Sequence, residues 1–416
     1  MREKFQQTVR ISDLTLEIVI ILIFGIFMTL FGLLGLRIQS GDLPYNPNGT
    51  YGLLLVIISL QIITLGKTPF GTHRRSWILV LFGIGIAIPG TIACFIPGFM
   101  EEFVRLLVGI IMTAGGTILI LQLACIRAGT WIRTSGILRH LIAACGLVYL
   151  MEILFGLISI VPCIRPGLVT TVLGTTFGIS LFYLAWTLSR IARSYPRETP
   201  GSVSGSSLTP AKEDQFFLLR DAPLPTHIAV TLLLGLIFIL FSLLLIPVSQ
   251  GIIPFSRDSQ FGLLMVIMAF QVLALGKTPL GVYERSYPLI LIGLAIVSIG
   301  IYSCIIPGLI TRWVLIPLGI WNIITGGAGL IRFSLPPLLR ASRHSDETHH
   351  PPVKKLLVTV TLLHLATIFF GMNLVNPGLI PGIAVLGILF FLGLLFLILA
   401  YIQLNLPASG REDRIG

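Results

Sequence analysis

The chain has 416 residues, 55% of them hydrophobic and 11% charged, with a net charge of +11 and a mean hydropathy of +0.97. A soluble domain carries roughly a quarter of its residues as charges to coat its surface, so a soluble enzyme is excluded and most of this surface must face lipid. The positive charge is scattered between apolar runs rather than gathered in a patch, which argues for a membrane and against a nucleic-acid partner.

At the N-terminus a basic lead (Arg2, Lys4, Arg10) precedes a hydrophobic stretch from Leu14 to Leu36. That stretch is too long for a signal-peptide core and ends in no small-residue cleavage site, so it reads as an uncleaved first span. Apolar runs of the length needed to cross about 30 Å of hydrocarbon then recur along the chain. They predict spans at 16–37, 51–66, 77–97, 102–124, 140–161 and 167–191, then 227–248, 261–276, 287–307, 312–332, 355–375 and 381–404. The expected fold is an all-α integral membrane protein of twelve helices. Between the sixth and seventh spans, 194–226 is rich in Pro, Ser, Gly and charge and reads as a flexible cytosolic linker.

The segments on either side of that linker are copies. YGLLLVIISLQIITLGKTPFGTHRRS from Tyr51 returns as FGLLMVIMAFQVLALGKTPLGVYERS from Phe261, an offset of 210 that holds to Pro97-Gly98 and Pro307-Gly308. Beyond these turns the offset is 215, matching Gly156 to Gly371 and Pro166-Gly167 to Pro381-Gly382. Such self-similarity implies a duplicated unit: residues 1–193 and 227–416 as two tandem six-helix repeats. An even number of spans per repeat gives both the same orientation, related by an axis along the membrane normal. Of the 28 Lys and Arg residues, all but Arg37, Arg105, Arg165, Arg257 and Arg312 fall on one face. The positive-inside rule makes that face cytosolic, with both termini, in a prokaryotic-type inner membrane.

Small residues follow a seven-residue grid. Gly83, Gly90 and Pro97 are matched by Gly293, Gly300 and Pro307; Gly109 and Gly116 by Gly319 and Gly326; Gly25 and Gly32 by Gly235 and Ser242. Seven residues make nearly two helical turns, so each set lines one narrow face, and in lipid small faces let helices approach closely. The expected arrangement is a tight antiparallel hairpin on either side of each outer Pro-Gly. This pattern resembles the module of HdeD-type acid-resistance membrane proteins, most clearly at Gly83–Gly116 and Gly293–Gly326 and more faintly at Gly156–Gly178 and Gly371–Gly393. The resemblance implies a stress-linked membrane protein without enzymatic chemistry, although this chain is twice as long as that family.

LGKTPFG and LGKTPLG invite a phosphate-loop reading, but Gln61 and Gln271 stand where its leading glycine belongs, so nucleotide binding is rejected. The strings read instead as helix stops that set Lys67, Arg75, Lys277 and Arg285 at the cytosolic headgroups, as anchors or as a lipid-binding or gating loop. Two six-span halves are also the plan of the major facilitator superfamily. Phe70 and His73, however, occupy the acidic and glycine positions of that family's loop motif, so its charge network is absent.

Catalytic and metal signatures are missing. The cysteines (Cys94, Cys125, Cys145, Cys163, Cys304) form no C-x-x-C pair, and they read as small apolar residues. No HExxH or G-x-S-x-G motif occurs, so neither enzymatic activity, metal nor cofactor is expected. Intramembrane polar residues are the remaining candidates, because ionisable groups at that depth are costly and usually functional. Glu152, with Tyr149 one turn earlier, corresponds under the 215 offset to Thr367 and His364. Gln61 and Gln271 join them. Packing through hydrogen bonds is the plainer role for these groups. The bolder expectation is that Glu152 and His364 meet between the halves as a proton-sensitive pair. Two functions follow as expectations: movement or sensing of a small solute, proton or lipid between the halves, or a structural role, either HdeD-like or as a membrane subunit beside partner subunits.

Overall fold

The structure is a computed structural model that describes residues 16–64, 77–127, 136–161, 167–194, 226–274, 287–308, 311–334, 351–376 and 378–405. Among these the chain forms α1 (Leu16–Gln39), α2 (Pro47–Thr64), α3 (Trp77–Phe95), α4 (Glu101–Arg127), α5 (Ile137–Ile160) and α6 (Leu168–Ser194). These are followed by α7 (Thr226–Ser249), α8 (Arg257–Ala274), α9 (Tyr287–Ile305), α10 (Thr311–Gly329, ending in a π turn at Leu330–Ser334), α11 (Pro351–Val375) and α12 (Gly382–Asn405). Nine of the helices among the described residues are long and apolar enough to cross a membrane. The protein is an all-α, multi-pass membrane protein. The linker expected at 194–226 lies, apart from its end residues, outside the described residues.

Helices α2 and α8 begin four residues earlier than hydropathy predicts. Their first turns, PNGT and RDSQ, look like loop. Asn46 nevertheless caps α2 by accepting a hydrogen bond on Oδ1 from the Gly49 amide at 3.1 Å, and Pro47 suits the first helical position because its missing N–H would be unpaired there anyway.

The helices pack in antiparallel pairs: α1 with α6, α2 with α3, α4 with α5, and likewise α7 with α12, α8 with α9, α10 with α11. Contact between backbones explains the small residues. A Cβ on Gly90 would lie 2.8 Å from the Gly52 carbonyl oxygen, and one on Gly300 2.7 Å from that of Gly262. Gly109 meets the Gly156 carbonyl and Gly319 that of Gly371 in the same way, at 2.9 and 2.7 Å. Gly83 faces Ile63, Gly293 faces Leu273, Gly116 the Tyr149 carbonyl and Gly326 the His364 carbonyl.

The partners differ from the expected hairpins. Gly98 and Gly308 do turn the chain, at φ +73° and +86°, a left-handed conformation that glycine adopts without steric cost. Yet the stripes on either side do not face each other. Helix α3 turns its glycines to α2, and α4 turns its glycines to α5. The matching small residues are Gly52, Gly156, Gly262 and Gly371, outside the seven-residue grid.

Among the remaining contacts, α5 packs on α6 and α11 on α12, and α1, α2 and α3 assemble against α7, α8 and α9. Phe95 of α3 packs on Phe241 of α7, ring centroids 4.4 Å apart, and on Phe255 before α8. Helices α2 and α8 are enclosed on every side. The successive residues Leu53 to Ile57 are each at most 1% exposed, and Leu263 to Ile267 at most 3%. At 100° per residue, five consecutive positions cover the whole circumference, so no face of either helix is left open there.

Candidate functional site

The intramembrane polar candidates divide between flank and centre. Glu152 lies half-buried on α5 and turns toward α4, where a Cβ on Gly115 would be 3.3 Å from its Oε1. His364, half-buried on α11, lays its ring against Gly329 of α10, just before the π turn, and its Nε2 is buried without a hydrogen-bond partner among the described residues. Thr367 donates its hydroxyl to the Leu363 carbonyl at 2.8 Å, the ordinary bond of a helical threonine. Tyr149 is half-buried within reach of Cys145 one turn away. Gln61 is half-buried on α2, with an interaction of its own. The Gln271 side chain, and all of Lys67, Arg75, Lys277 and Arg285, lie outside the described residues.

The expected meeting of Glu152 and His364 does not occur. Helix α5 packs against α4 and α6, and α11 against α10 and α12, so neither helix packs on the other. The reason is steric. Six helices already fill the centre, and the glycine stripes of α4 and α10 pull α5 and α11 outward onto themselves. Each polar side chain therefore belongs to its own flanking pair, and an ion pair between them is ruled out.

At the centre the structure gathers polar groups that hydropathy treats as loop. Asn46 donates from Nδ2 to the Ser259 hydroxyl at 2.7 Å and to that of Ser256 at 3.4 Å; Ser256 in turn donates to Ser259 at 2.9 Å. Two backbone bonds cross the same place: Asn46 N–H to Ile305 O at 3.0 Å, and Ser256 N–H to Phe95 O at 2.9 Å. Asn48, 2% exposed, donates to the Ile96 carbonyl at 3.3 Å. Positions 46 and 256 are 210 apart, as are 95 and 305, so the two backbone bonds are mates under the sequence offset. Every acceptor here is a carbonyl, amide or hydroxyl oxygen and every donor an amide or hydroxyl. The cluster binds one set of helices to the other through neutral hydrogen bonds.

Around this knot most buried side chains of the six central helices are apolar, with the hydroxyls of Ser59, Thr91 and Ser242 buried among them and each bonded to a backbone carbonyl. Phe27, Phe95 and Phe241 are fully buried beside Leu53, Val56 and Leu263. Among the described residues no group of three or more His, Cys, Asp or Glu side chains is placed to hold a metal ion. The signal for the central cluster was present in the sequence as two N-cap strings, YNPNG and FSRDS, at the repeat offset. Hydropathy alone passes over them because they are polar and short. Comparison of the chain with protein-family models, with curated proteins and with solved structures returned no match.

Proposed function

We propose that this chain is a non-enzymatic inner-membrane protein that serves as a rigid membrane subunit or scaffold, not as a conduit between its halves. In this reading all twelve helices span the bilayer, both termini are cytosolic, and 1–193 and 227–416 are two six-helix repeats related by an axis along the membrane normal. The observation that carries the role is the all-round burial of α2 and α8 at the centre. A conduit along the repeat axis needs polar faces or a water-filled space there, whereas Leu53–Ile57 and Leu263–Ile267 fill it with hydrocarbon. The flanking pairs α4–α5 and α10–α11 turn apolar faces outward to lipid or to partner subunits. Stress protection of the HdeD type fits such a scaffold.

Reconstitution tests the role. Liposomes carrying the protein and empty liposomes are expected to lose an imposed pH gradient, and a panel of small fluorescent solutes, at the same rate. Protein-dependent dissipation of either would reinstate movement of a solute or proton between the halves.

A further inference from the structure

One end of the α5–α6 pair, where α5 begins and α6 finishes, carries a ladder of rings and cations. His140 Nδ1 and the Tyr183 hydroxyl share a hydrogen bond at 2.8 Å. Tyr183 stacks on Trp186, with ring centroids 6.0 Å apart and 17° between the planes. The Arg190 guanidinium lies over the Trp186 ring, its Cζ 5.3 Å from the centroid. His140, Trp186 and Arg190 are all exposed, and so is Arg139 beside them. At 1.5 Å per residue, Arg190 and His140 stand about 6 Å and about 5 Å from the ends of their helices, near the depth of lipid headgroups. Little acid neutralises the cluster. Helix α6 holds no Asp or Glu, and the Glu152 of α5 lies far deeper. Glu17, in the first turn of α1, is in no ion pair among the described residues.

The second half supplies a comparison within the same chain. Under the 215 offset His140, Tyr183, Trp186 and Arg190 become Lys355, Ile398, Tyr401 and Asn405. Ile398 can make no hydrogen bond through its side chain, and Asn405 turns back onto the Tyr401 carbonyl of its own helix at 3.0 Å. The ladder is therefore no by-product of the repeated sequence. A guanidinium whose face rests on an indole keeps the N–H donors of its edge for an oxyanion. The bond to Tyr183 fixes the His140 ring through Nδ1, so Nε2 is the nitrogen outside that bond. Trp186, 49% exposed, offers an apolar wall of the kind that lines the membrane interface. We propose that this end of α5 and α6 is a binding site for an anionic phospholipid, its phosphate held by Arg190 and His140 and its upper acyl chain lying along Trp186. The exposed indole selects a lipid over a soluble anion, because a water-borne phosphate gains nothing from it. The site requires only that α5 and α6 cross a membrane and does not depend on the proposed scaffold role.

The test reads the fluorescence of Trp186 in the full-length chain, with Trp77, Trp131, Trp313 and Trp321 replaced by Phe. The protein is reconstituted in mixed vesicles of phosphatidylcholine and phosphatidylglycerol, in which one lipid or the other carries brominated chains that quench a neighbouring indole. Brominated phosphatidylglycerol is expected to quench Trp186 as a lipid held about fivefold more tightly than phosphatidylcholine, the contribution of one surface cation. Arg190→Gln should bring that ratio close to parity. A chain whose one tryptophan is instead supplied by Tyr401→Trp should show a smaller preference, a readout that leaves the α5–α6 ladder cations untouched. Inorganic phosphate added to vesicles of phosphatidylcholine alone should leave Trp186 emission unchanged. Equal quenching of Trp186 by the two lipids, or the same preference at the Tyr401→Trp reporter, would reduce the site to general surface charge and overturn it. A saturable response to inorganic phosphate would assign the site to a free anion and overturn the lipid.

Discussion

In α1 and α7, 61% of the apolar window is buried inside the protein, whereas in α4 and α10 only 28% is. The central six helices spend their apolar surface on one another, and the flanking pairs spend much of theirs on the surroundings. Yet both regions use the same device at their closest approach, a glycine set against a backbone carbonyl. Apolar burial therefore separates centre from flank, while close backbone contact is common to both, as expected where the solvent is itself apolar. The difference between centre and flank lies in what accompanies those contacts. The centre adds reciprocal hydrogen bonds, and the flanks carry the isolated ionisable groups Glu152 and His364.

Bulk at the central contacts is the strongest way to break this contrast. Gly90→Leu and Gly300→Leu each force a side chain into a carbonyl oxygen under 3 Å away and should destabilise by about 1–3 kcal/mol. Leu121→Ala, at a position 57% exposed on α4, should stay within about 0.5 kcal/mol. Thermal unfolding in detergent compares them; equal midpoints for all three would remove the basis for a tight centre.

Asn46→Ala removes both the helix cap on α2 and the bond to Ser259, for an expected loss of about 1–2 kcal/mol. Ser298→Ala, whose hydroxyl bonds only within its own helix, is a control expected to change little. A control as costly as Asn46→Ala would show that the cross-helix bond contributes nothing special.

Glu152→Gln and His364→Gln sharpen the flank side of the comparison. Because their helices do not pack together, the double variant should equal the sum of the singles within about 0.5 kcal/mol. A larger coupling in a double-mutant cycle would restore a direct interaction between them.

The smallest effect concerns Tyr45, in the turn before α2. Burial, reinforced by Tyr51, holds its phenol well above the usual range, whereas the unfolded phenol ionises near pH 10. Above that pH the unfolded state loses a proton that the folded state retains, so folding stability that is fully present below pH 10 declines as pH rises. Tyr45→Phe should flatten the decline in melts between pH 9 and 11. An unchanged slope would mean that Tyr45 is not buried as described.

Much of this architecture can be read from the residues. Composition gives the membrane class, and the seven-residue grid marks Gly83, Gly90, Gly109 and Gly116 as contact positions, because a glycine recurring on one helical face has few uses besides close approach. The choice of partner is not legible there. A stripe on α3 serves equally well against α2 or α4, and only the pairing of Gly90 with Gly52, a residue outside the grid, decides it. The placing of Glu152 and His364 fails for a related reason. Depth follows from counting residues along a helix, but direction around the bundle depends on which neighbour takes the glycine face.

The central claim is that the two halves meet along a dry seam around α2 and α8, and solvent access at those helices tests it most directly. Single cysteines placed at Leu54, Ile57, Leu264 and Ile267, in a chain whose own five cysteines are replaced by serine, can be challenged with a membrane-impermeant thiol reagent from each face of sealed vesicles. All four positions should remain unlabelled from both sides until the protein is denatured. Labelling of two or more from either face would reveal an aqueous path through the centre and contradict the account.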